Sequence, residues 1–557
     1  MTPAGLAALG LLFAGIVIAT RRWRACSWIA GLVGFTVLLV GSWSLPLGQR
    51  AILGDEVLVS TGYLRLVLML AAASGGTLTF VGAATGGNRG VPALALLWFA
   101  ATATALSLVS PIPAILLLTT GSVAAILMAV DEDGVERALI VARGLRAIVV
   151  AGILAAIAVL WAEVAGTNLR LGLGDGTSPP DGGALGLAFI AAALAVALRA
   201  GAIPVHAWAS RLGERLPILA LPVTFAWGPA ALAIVVLGWA DQGVIALGQP
   251  LSVERGVIAS IAVASIIFGA LAAYLHDDVE RVVAYTLTTD SGVVLLALAA
   301  VSPEAWGPAR IWILTYIVAK SAFAGWAAAV RTSFGTTSVP RLGGWARRSP
   351  LLAAGLVLIA ITSIGLPGLA AFDARAQLIS LALPAPFNVV AWIGILASSG
   401  AYLRILIIGF APPTGDVGTA TNLQPAWPGG RPAQLSVNLV RQLPDALRLN
   451  RAPAAAASVL VLGLLGLSVA AGALHTTTAA GAPRPGAGAF EEVSPTASPS
   501  AVPIPTVPRA TLGPSGDAGT STAPTAGTSV PVAPRATPAA SSALPAASPA
   551  AAVSTKP

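Results

Sequence analysis

The 557-residue chain is 56% hydrophobic and 10% charged, with a mean hydropathy of +0.85, a balance that excludes a water-soluble globular fold of this size. Lys and Arg number 31 against 23 Asp and Glu, a net charge of +8, but the basic residues sit between apolar runs and read as membrane topology, not nucleic-acid binding. The single cysteine, Cys26, excludes an internal disulfide, iron–sulfur cluster or Cys-rich zinc site, and His206, His276 and His475 show no metal-ligand spacing.

Apolar stretches of membrane-crossing length occur near 4–20, 27–45, 63–82, 92–109, 112–130, 138–162, 184–203, 217–239, 254–275, 282–301, 309–330, 350–380, 387–410 and 453–475. They predict an all-α, polytopic membrane bundle of about fourteen transmembrane helices. Arg21, Arg22 and Arg24 follow the first span, Arg89 the third, Arg211 and Arg215 the seventh, and Arg341, Arg347 and Arg348 the eleventh. Alternate loops are poor in basic residues; 163–183 carries Asp175 and Asp181 instead. Since basic residues collect in cytoplasmic loops, both termini are expected outside the cytoplasm. A signal peptide is the other reading of the first apolar segment, but no small-residue cleavage site leads into a soluble domain. Gly172-Leu-Gly-Asp-Gly resembles a phosphate loop only superficially, because no strand precedes it.

After the thirteenth span, 411–452 reads as an irregular cytoplasmic linker. From residue 476 to 557 the composition shifts to Pro, Ala, Ser and Thr, which cannot bury a core and predicts a disordered tail.

Two arginines stand inside membrane-length apolar runs beside a proline. Residues 197–208 read Ala-Leu-Arg-Ala-Gly-Ala-Ile-Pro-Val-His-Ala-Trp, with Arg199, Pro204 and His206 close together. Residues 365–375 read Gly-Leu-Pro-Gly-Leu-Ala-Ala-Phe-Asp-Ala-Arg, pairing Pro367 with Arg375. A guanidinium at membrane depth costs at least about 2.5–3.5 kcal/mol and persists only where it faces a polar interior. Proline frees backbone carbonyls at the same depth. The two breaks fall five spans apart, in the seventh and twelfth, and an odd offset reverses the direction of crossing. That predicts two inverted five-helix repeats with discontinuous helices, 92–239 and 254–410, preceded by N-terminal helices in 1–109 that overlap the first repeat by one span.

Asp290, mid-span in Thr-Leu-Thr-Thr-Asp-Ser-Gly, and Lys320, the only intramembrane lysine, complete the set of candidates. Asp290, Lys320 and Arg375 form the expected polar path, with Asp290 and Lys320 as its titrating members. Arg199 and His206 are further candidates for the path, each with a structural reading beside it: an anchor for the broken helix, and a hydrogen-bonded histidine. For Asp290, simple neutralisation of Lys320 is the competing role. Arg281, with Glu280, lies at a span boundary as an interfacial anchor, and Pro204 and Pro367 are structural.

Three segments give the chain a resemblance to the antiporter-like membrane subunits of respiratory complex I, closest to NADH:quinone oxidoreductase subunit N, and to subunits of multi-subunit cation/proton antiporters. Arg199 to Trp208 resembles Phe-Lys-(four residues)-Pro-Phe-His-x-Trp, followed by Leu-Pro-Val-Thr at 221–224. Asp278-Val-Glu-Arg-Val-Val-Ala-Tyr-Thr resembles Asn-Leu-Lys-Arg-x-Leu-Ala-Tyr-Ser, with Gly292 further along. The segment from Gly365 to Arg375 resembles Gly-Ile-Pro-Pro-Leu-Ala-Gly-Phe-x-x-Lys. The departures are chemical. Arg199 and Arg375 align with lysines that pass protons in the family. The lysine expected near 229 or 230 is replaced by Pro229 and Ala230, and the glutamate expected within 115–122 is absent.

The resemblance implies a membrane subunit that takes part in or supports proton translocation with a partly degenerate path. An antiporter subunit and a non-transporting scaffold are the alternatives. It implies no redox site or cofactor in this chain, with NADH, flavin, iron–sulfur clusters and quinone on partner subunits. The other implied partners are membrane subunits, the lipid bilayer, and protons or sodium.

Overall fold

The computed structural model describes residues 1–54, 56–129, 135–170, 182–213, 216–244, 251–365 and 367–412. The expected linker, except for its first two residues, the expected last span at 453–475 and the expected tail lie outside the described residues, as do Asp175, Asp181 and Arg215.

Within them the chain is a polytopic helical bundle. Helices α1 (Pro3–Ala19), α2 (Arg24–Trp43), α3 (Gly62–Thr85), α4 (Gly90–Ala105), α5 (Pro111–Ala129) and α6 (Val135–Arg170) come first. Then follow α7 (Gly182–Ala200), the short α8 (Ala207–Gly213), α9 (Gly228–Trp239), α10 (Ser252–Leu275), α11 (Val279–Ala300) and α12 (Trp306–Phe334). After them come α13 (Trp345–Arg348), α14 (Pro350–Ile364), α15 (Ala370–Ala382) and α16 (Ala385–Phe410). Ten helices or joined helical segments are long and apolar enough to cross a membrane, and α1, α4 and α14 are shorter apolar helices. A β-hairpin that the hydropathy pattern does not reveal joins α2 to α3, with Arg50–Leu53 pairing antiparallel to Glu56–Val59. Its strands are too short to disturb a pattern read over spans, and Gly54 at φ 65° makes the tight turn.

Sequence chemistry sets the helix ends. Thr2, Thr61 and Asp278 accept hydrogen bonds from first-turn amides of α1, α3 and α11. Three arginines close helix C-termini. Arg255 donates to Ala299 O and Leu381 O at the ends of α11 and α15, Arg404 to Tyr274 O at the end of α10, and Arg375 to Ser363 O and Ile364 O at the end of α14. Each cation meets unpaired carbonyls at the negative end of a helix dipole.

The long apolar stretch of α12 is buried throughout and that of α11 almost so, whereas those of α2, α5, α6 and α16 bury less than half. On α6 and α16 many outward residues are apolar, among them Ile153, Ile157, Ile393 and Leu403. That distribution suits a bundle whose surroundings are hydrocarbon and whose centre carries the polar groups.

Both interrupted helices are present. α7 stops at Ala200, Gly201 turns at φ 65°, and α8 begins at Ala207. A Cβ on Gly201 would lie 2.5 Å from Ala209 Cβ, so glycine is needed for space as well as for φ. The groups freed by this break are re-satisfied: Leu198 O accepts from the Trp208 indole at 3.0 Å, and Ile203 N donates to the Ser265 hydroxyl at 3.0 Å. α14 stops at Ile364, and Gly365 and Gly368, at φ 78° and 91°, flank Pro367 before α15.

Candidate functional site

Asp290 lies midway along α11 and Lys320 midway along α12. Around Asp290, the hydroxyls of Thr286, Thr289 and Ser291 donate back to carbonyls of their own helix, at 2.8, 3.2 and 2.8 Å. They are thereby satisfied locally and leave the carboxylate to a partner across the helix interface. That partner is Lys320, whose Nζ stands 2.6 Å from Asp290 Oδ2, with both side chains nearly inaccessible. The contact is a buried ion pair between neighbouring helices.

At an effective dielectric of ~20 the attraction at this separation is roughly 6 kcal/mol, set against several kcal/mol needed to desolvate each of the two ions. The pair is therefore close to balanced, and either member alone would be strongly unfavourable.

Arg375 extends the cluster. Its guanidinium lies 4.2 Å from the Trp312 ring centroid and grips the last carbonyls of α14, and the Trp312 indole donates to Asp290 O at 3.3 Å. Tyr402 of α16 interacts electrostatically with both Lys320 and Arg375. Held by backbone carbonyls and a π-face, Arg375 is a fixed cation, because a guanidinium does not release its proton in this role.

Arg199 lies apart from this cluster. It is buried, and donates to Thr224 O at 2.9 Å and to Ser122 Oγ at 3.2 Å. Thr224 O belongs to a π-helical turn, Val223–Trp227, where the widened ladder presents carbonyls sideways. Gly228 clears the space for the guanidinium, since a Cβ there would lie 2.1 Å from Nη2. Among the described residues no carboxylate pairs with Arg199. Ser122, at the end of the segment where the resemblance leads one to expect a glutamate, supplies a neutral acceptor instead.

Tyr316 links the two groups. Its hydroxyl donates to Phe225 O at 2.7 Å, with Leu287 O at 3.4 Å, and it interacts electrostatically with both Asp290 and Arg199. Trp227 ties the same π-turn to α12 through Ser321 Oγ at 3.0 Å.

The structure thus brings Asp290, Lys320 and Arg375 together and sets Arg199 beyond Tyr316. His206 is half-buried after the first break, makes no side-chain hydrogen bond to any of them, and has its Nδ1 buried without a partner. Arg281 is exposed in the first turn of α11, its amide capped by Asp278. Pro204 and Pro367 are at the exposed tips of the breaks. Sequence reasoning missed Trp312 and Tyr316, although with Lys320 they recur every four residues and so share one stripe of α12. Ser122, Thr224 and Gly228 gave no comparable signal.

Residues 138–400 match the family described as NADH:quinone oxidoreductase/Mrp antiporter, TM. The chain is 29% identical over 245 residues to NADH-quinone oxidoreductase subunit N of Laribacter hongkongensis, covering 42% of this chain and 49% of that protein. It is 32% identical over 232 residues to subunit N of Methylobacterium nodulans, covering 40% and 46%. The chain therefore spans about half the length of the curated relatives it matches. By fold it is similar to a chain of the Mrp complex from Dietzia sp. DQ12-45-1b, with a TM-score of 0.69, 18% identity and coverage of 89% and 98%. It is also similar to a chain of respiratory complex I from Thermus thermophilus with bound NADH, with a TM-score of 0.64, 19% identity and coverage of 88% and 99%. Residues 138–400, which include the Asp290–Lys320 pair, are thus similar to the transmembrane domain described as NADH:quinone oxidoreductase/Mrp antiporter.

Proposed function

We propose that the protein is a membrane subunit of an NADH:quinone oxidoreductase-like complex in the bacterial inner membrane, and that it takes part in proton translocation through its second half. The observation that carries this reading is the buried Asp290–Lys320 ion pair inside the matched domain. Asp290 and Lys320 exchange the proton, while Arg375 supplies a fixed positive potential and fastens the broken helix. Arg199, held by neutral acceptors, is a structural cation in a first half that no longer relays protons. His206 shapes the first break.

In the same reading, 92–239 and 254–410 are inverted repeats, with α7/α8 and α14/α15 as equivalent interrupted helices. The arginine-rich connections face the cytoplasm and both termini face away from it. NADH, flavin, iron–sulfur and quinone chemistry then belongs to partner subunits.

A second reading, a subunit of a cation/proton antiporter, draws on the fold likeness to the Mrp chain. Purification of the intact assembly from native membranes, with identification of its subunits, separates the two. NADH-oxidising, iron–sulfur-bearing partners and NADH-driven proton uptake are expected; an assembly of antiporter-like subunits alone, exchanging cations for protons, would replace the first reading with the second.

A further inference from the structure

Beside the first break, α6 and α8 enclose a groove of about 190 Å³ lined by Ile140, Arg143, Ala207, Trp208 and Arg211. We propose that this groove is a binding site for an anionic phospholipid, its phosphate held by Arg143 and Arg211. The assignment is independent of whether Asp290 and Lys320 carry protons.

Four features converge on it. Arg143 and Arg211 are exposed, and among the described residues neither makes a hydrogen bond or ion pair. Both arginines line the one groove, and two unpaired guanidinium charges suit a phosphate monoanion.

The walls are fixed in advance. The Trp208 ring is pinned by its hydrogen bond to Leu198 O and by contact with Phe225 at 5.7 Å. Gly144 lets α6 and α8 pack so closely that a Cβ there would lie 2.7 Å from Leu212 Cδ2. Ordering the ligand therefore costs the protein little conformational entropy.

The depth is right for a headgroup. Arg143 lies one turn inside the apolar span Leu139–Val164, where basic side chains and indoles gather at the boundary between headgroups and hydrocarbon.

The fourth feature distinguishes a lipid from a free anion. Ile140, Ala207 and the Trp208 ring give the groove an apolar floor, from which inorganic phosphate gains nothing. Further along α6, Val149, Val150, Ile153 and Ile157 are exposed and form an apolar track on which an acyl chain can lie.

The full-length protein, purified in mild detergent, is exchanged into nanodiscs of mixed phosphatidylglycerol and phosphatidylcholine, and the lipid retained after delipidation is counted by native mass spectrometry. The wild type is expected to retain phosphatidylglycerol preferentially. Arg143→Gln with Arg211→Gln should weaken that retention by about five-fold for each arginine removed. Arg347→Gln with Arg348→Gln, at exposed arginines far along the chain, should leave it unchanged. Equal losses in the two double variants would show a general effect of surface charge and overturn the site. Full displacement of the lipid by excess inorganic phosphate would overturn the lipid assignment in favour of a plain anion site. Because both arginines are exposed, the variants keep the core intact, and a thermal unfolding profile matching the wild type verifies it.

Discussion

Asp290→Asn is expected to destabilise the protein by about 3–5 kcal/mol, read from thermal or denaturant unfolding in detergent, because it strands the Lys320 ammonium without a counter-charge. The carboxamide is nearly isosteric, so packing is not the cause. The companion Lys320→Met should be comparably harmful on its own, since it strands the carboxylate. Changing both, Asp290→Leu with Lys320→Met, should recover most of the loss: replacement of a buried pair by apolar residues of similar volume is often neutral or stabilising. Recovery of stability without recovery of proton transfer would identify the pair as retained for function. If the double variant were as unstable as Asp290→Asn, the surrounding Trp312, Tyr316 and Tyr402 would instead require the charges for packing, and the near-balance argued above would be wrong.

The second large effect is expected at Gly228. Glycine inside a helix is ordinarily less favourable than alanine by ~1 kcal/mol, so Gly228→Ala should stabilise α9 if space alone decided. It does not, because the added Cβ would meet Arg199 Nη2 at 2.1 Å. Displacing the guanidinium from Thr224 O and Ser122 Oγ forfeits two buried charge-assisted hydrogen bonds, each worth roughly 1.5–3 kcal/mol. A net destabilisation of roughly 2–5 kcal/mol is expected. In an Arg199→Met background the same Gly228→Ala change should be neutral or stabilising. A double-mutant cycle on the purified protein measures the difference, and a coupling energy near zero would show that Arg199 does not occupy the space beside Gly228.

Much of this was legible in the sequence. Hydropathy located the described spans, since a bilayer imposes one length on every crossing helix. Gly-Pro breaks and deep arginines located the two interrupted helices. The expense of buried charge singled out Asp290, Lys320, Arg199 and Arg375, and each is buried.

What the sequence did not carry was how each charge is answered. Arg199 was set against a missing glutamate, but its partners are a serine hydroxyl and a backbone carbonyl exposed by a π-turn, and a change of helical ladder leaves no mark on residue types. Arg375 was grouped with the titrating pair as a member of the path. Its grip on the end of α14 depends on a loop geometry set by Gly365 and Gly368, and only the folded backbone shows that the carbonyls of Ser363 and Ile364 point at it. Trp312 and Tyr316 were legible in principle as a four-residue stripe with Lys320. They were hidden because aromatic residues in an apolar helix ordinarily signal packing. The hairpin between α2 and α3 was invisible at the resolution of a span-length window.

The arginine pattern also separates two uses of a cation in a membrane interior. Arg255, Arg375 and Arg404 satisfy helix ends, a task for which an always-charged, forked group is well suited. Lys320 instead faces a buried carboxylate, with its Nζ 2.6 Å from Asp290 Oδ2.

The central claim, that Asp290 and Lys320 exchange the proton while Arg199 only supports the fold, is tested most directly by proton uptake in the intact assembly reconstituted into vesicles. Rates are normalised to folded complex and compared between Lys320→Met and Arg199→Met. The account predicts that Lys320→Met abolishes the chain's contribution, whereas Arg199→Met lowers the yield of folded complex but leaves the rate per assembly near the wild-type value. Collapse of proton uptake in Arg199→Met together with its survival in Lys320→Met would contradict it.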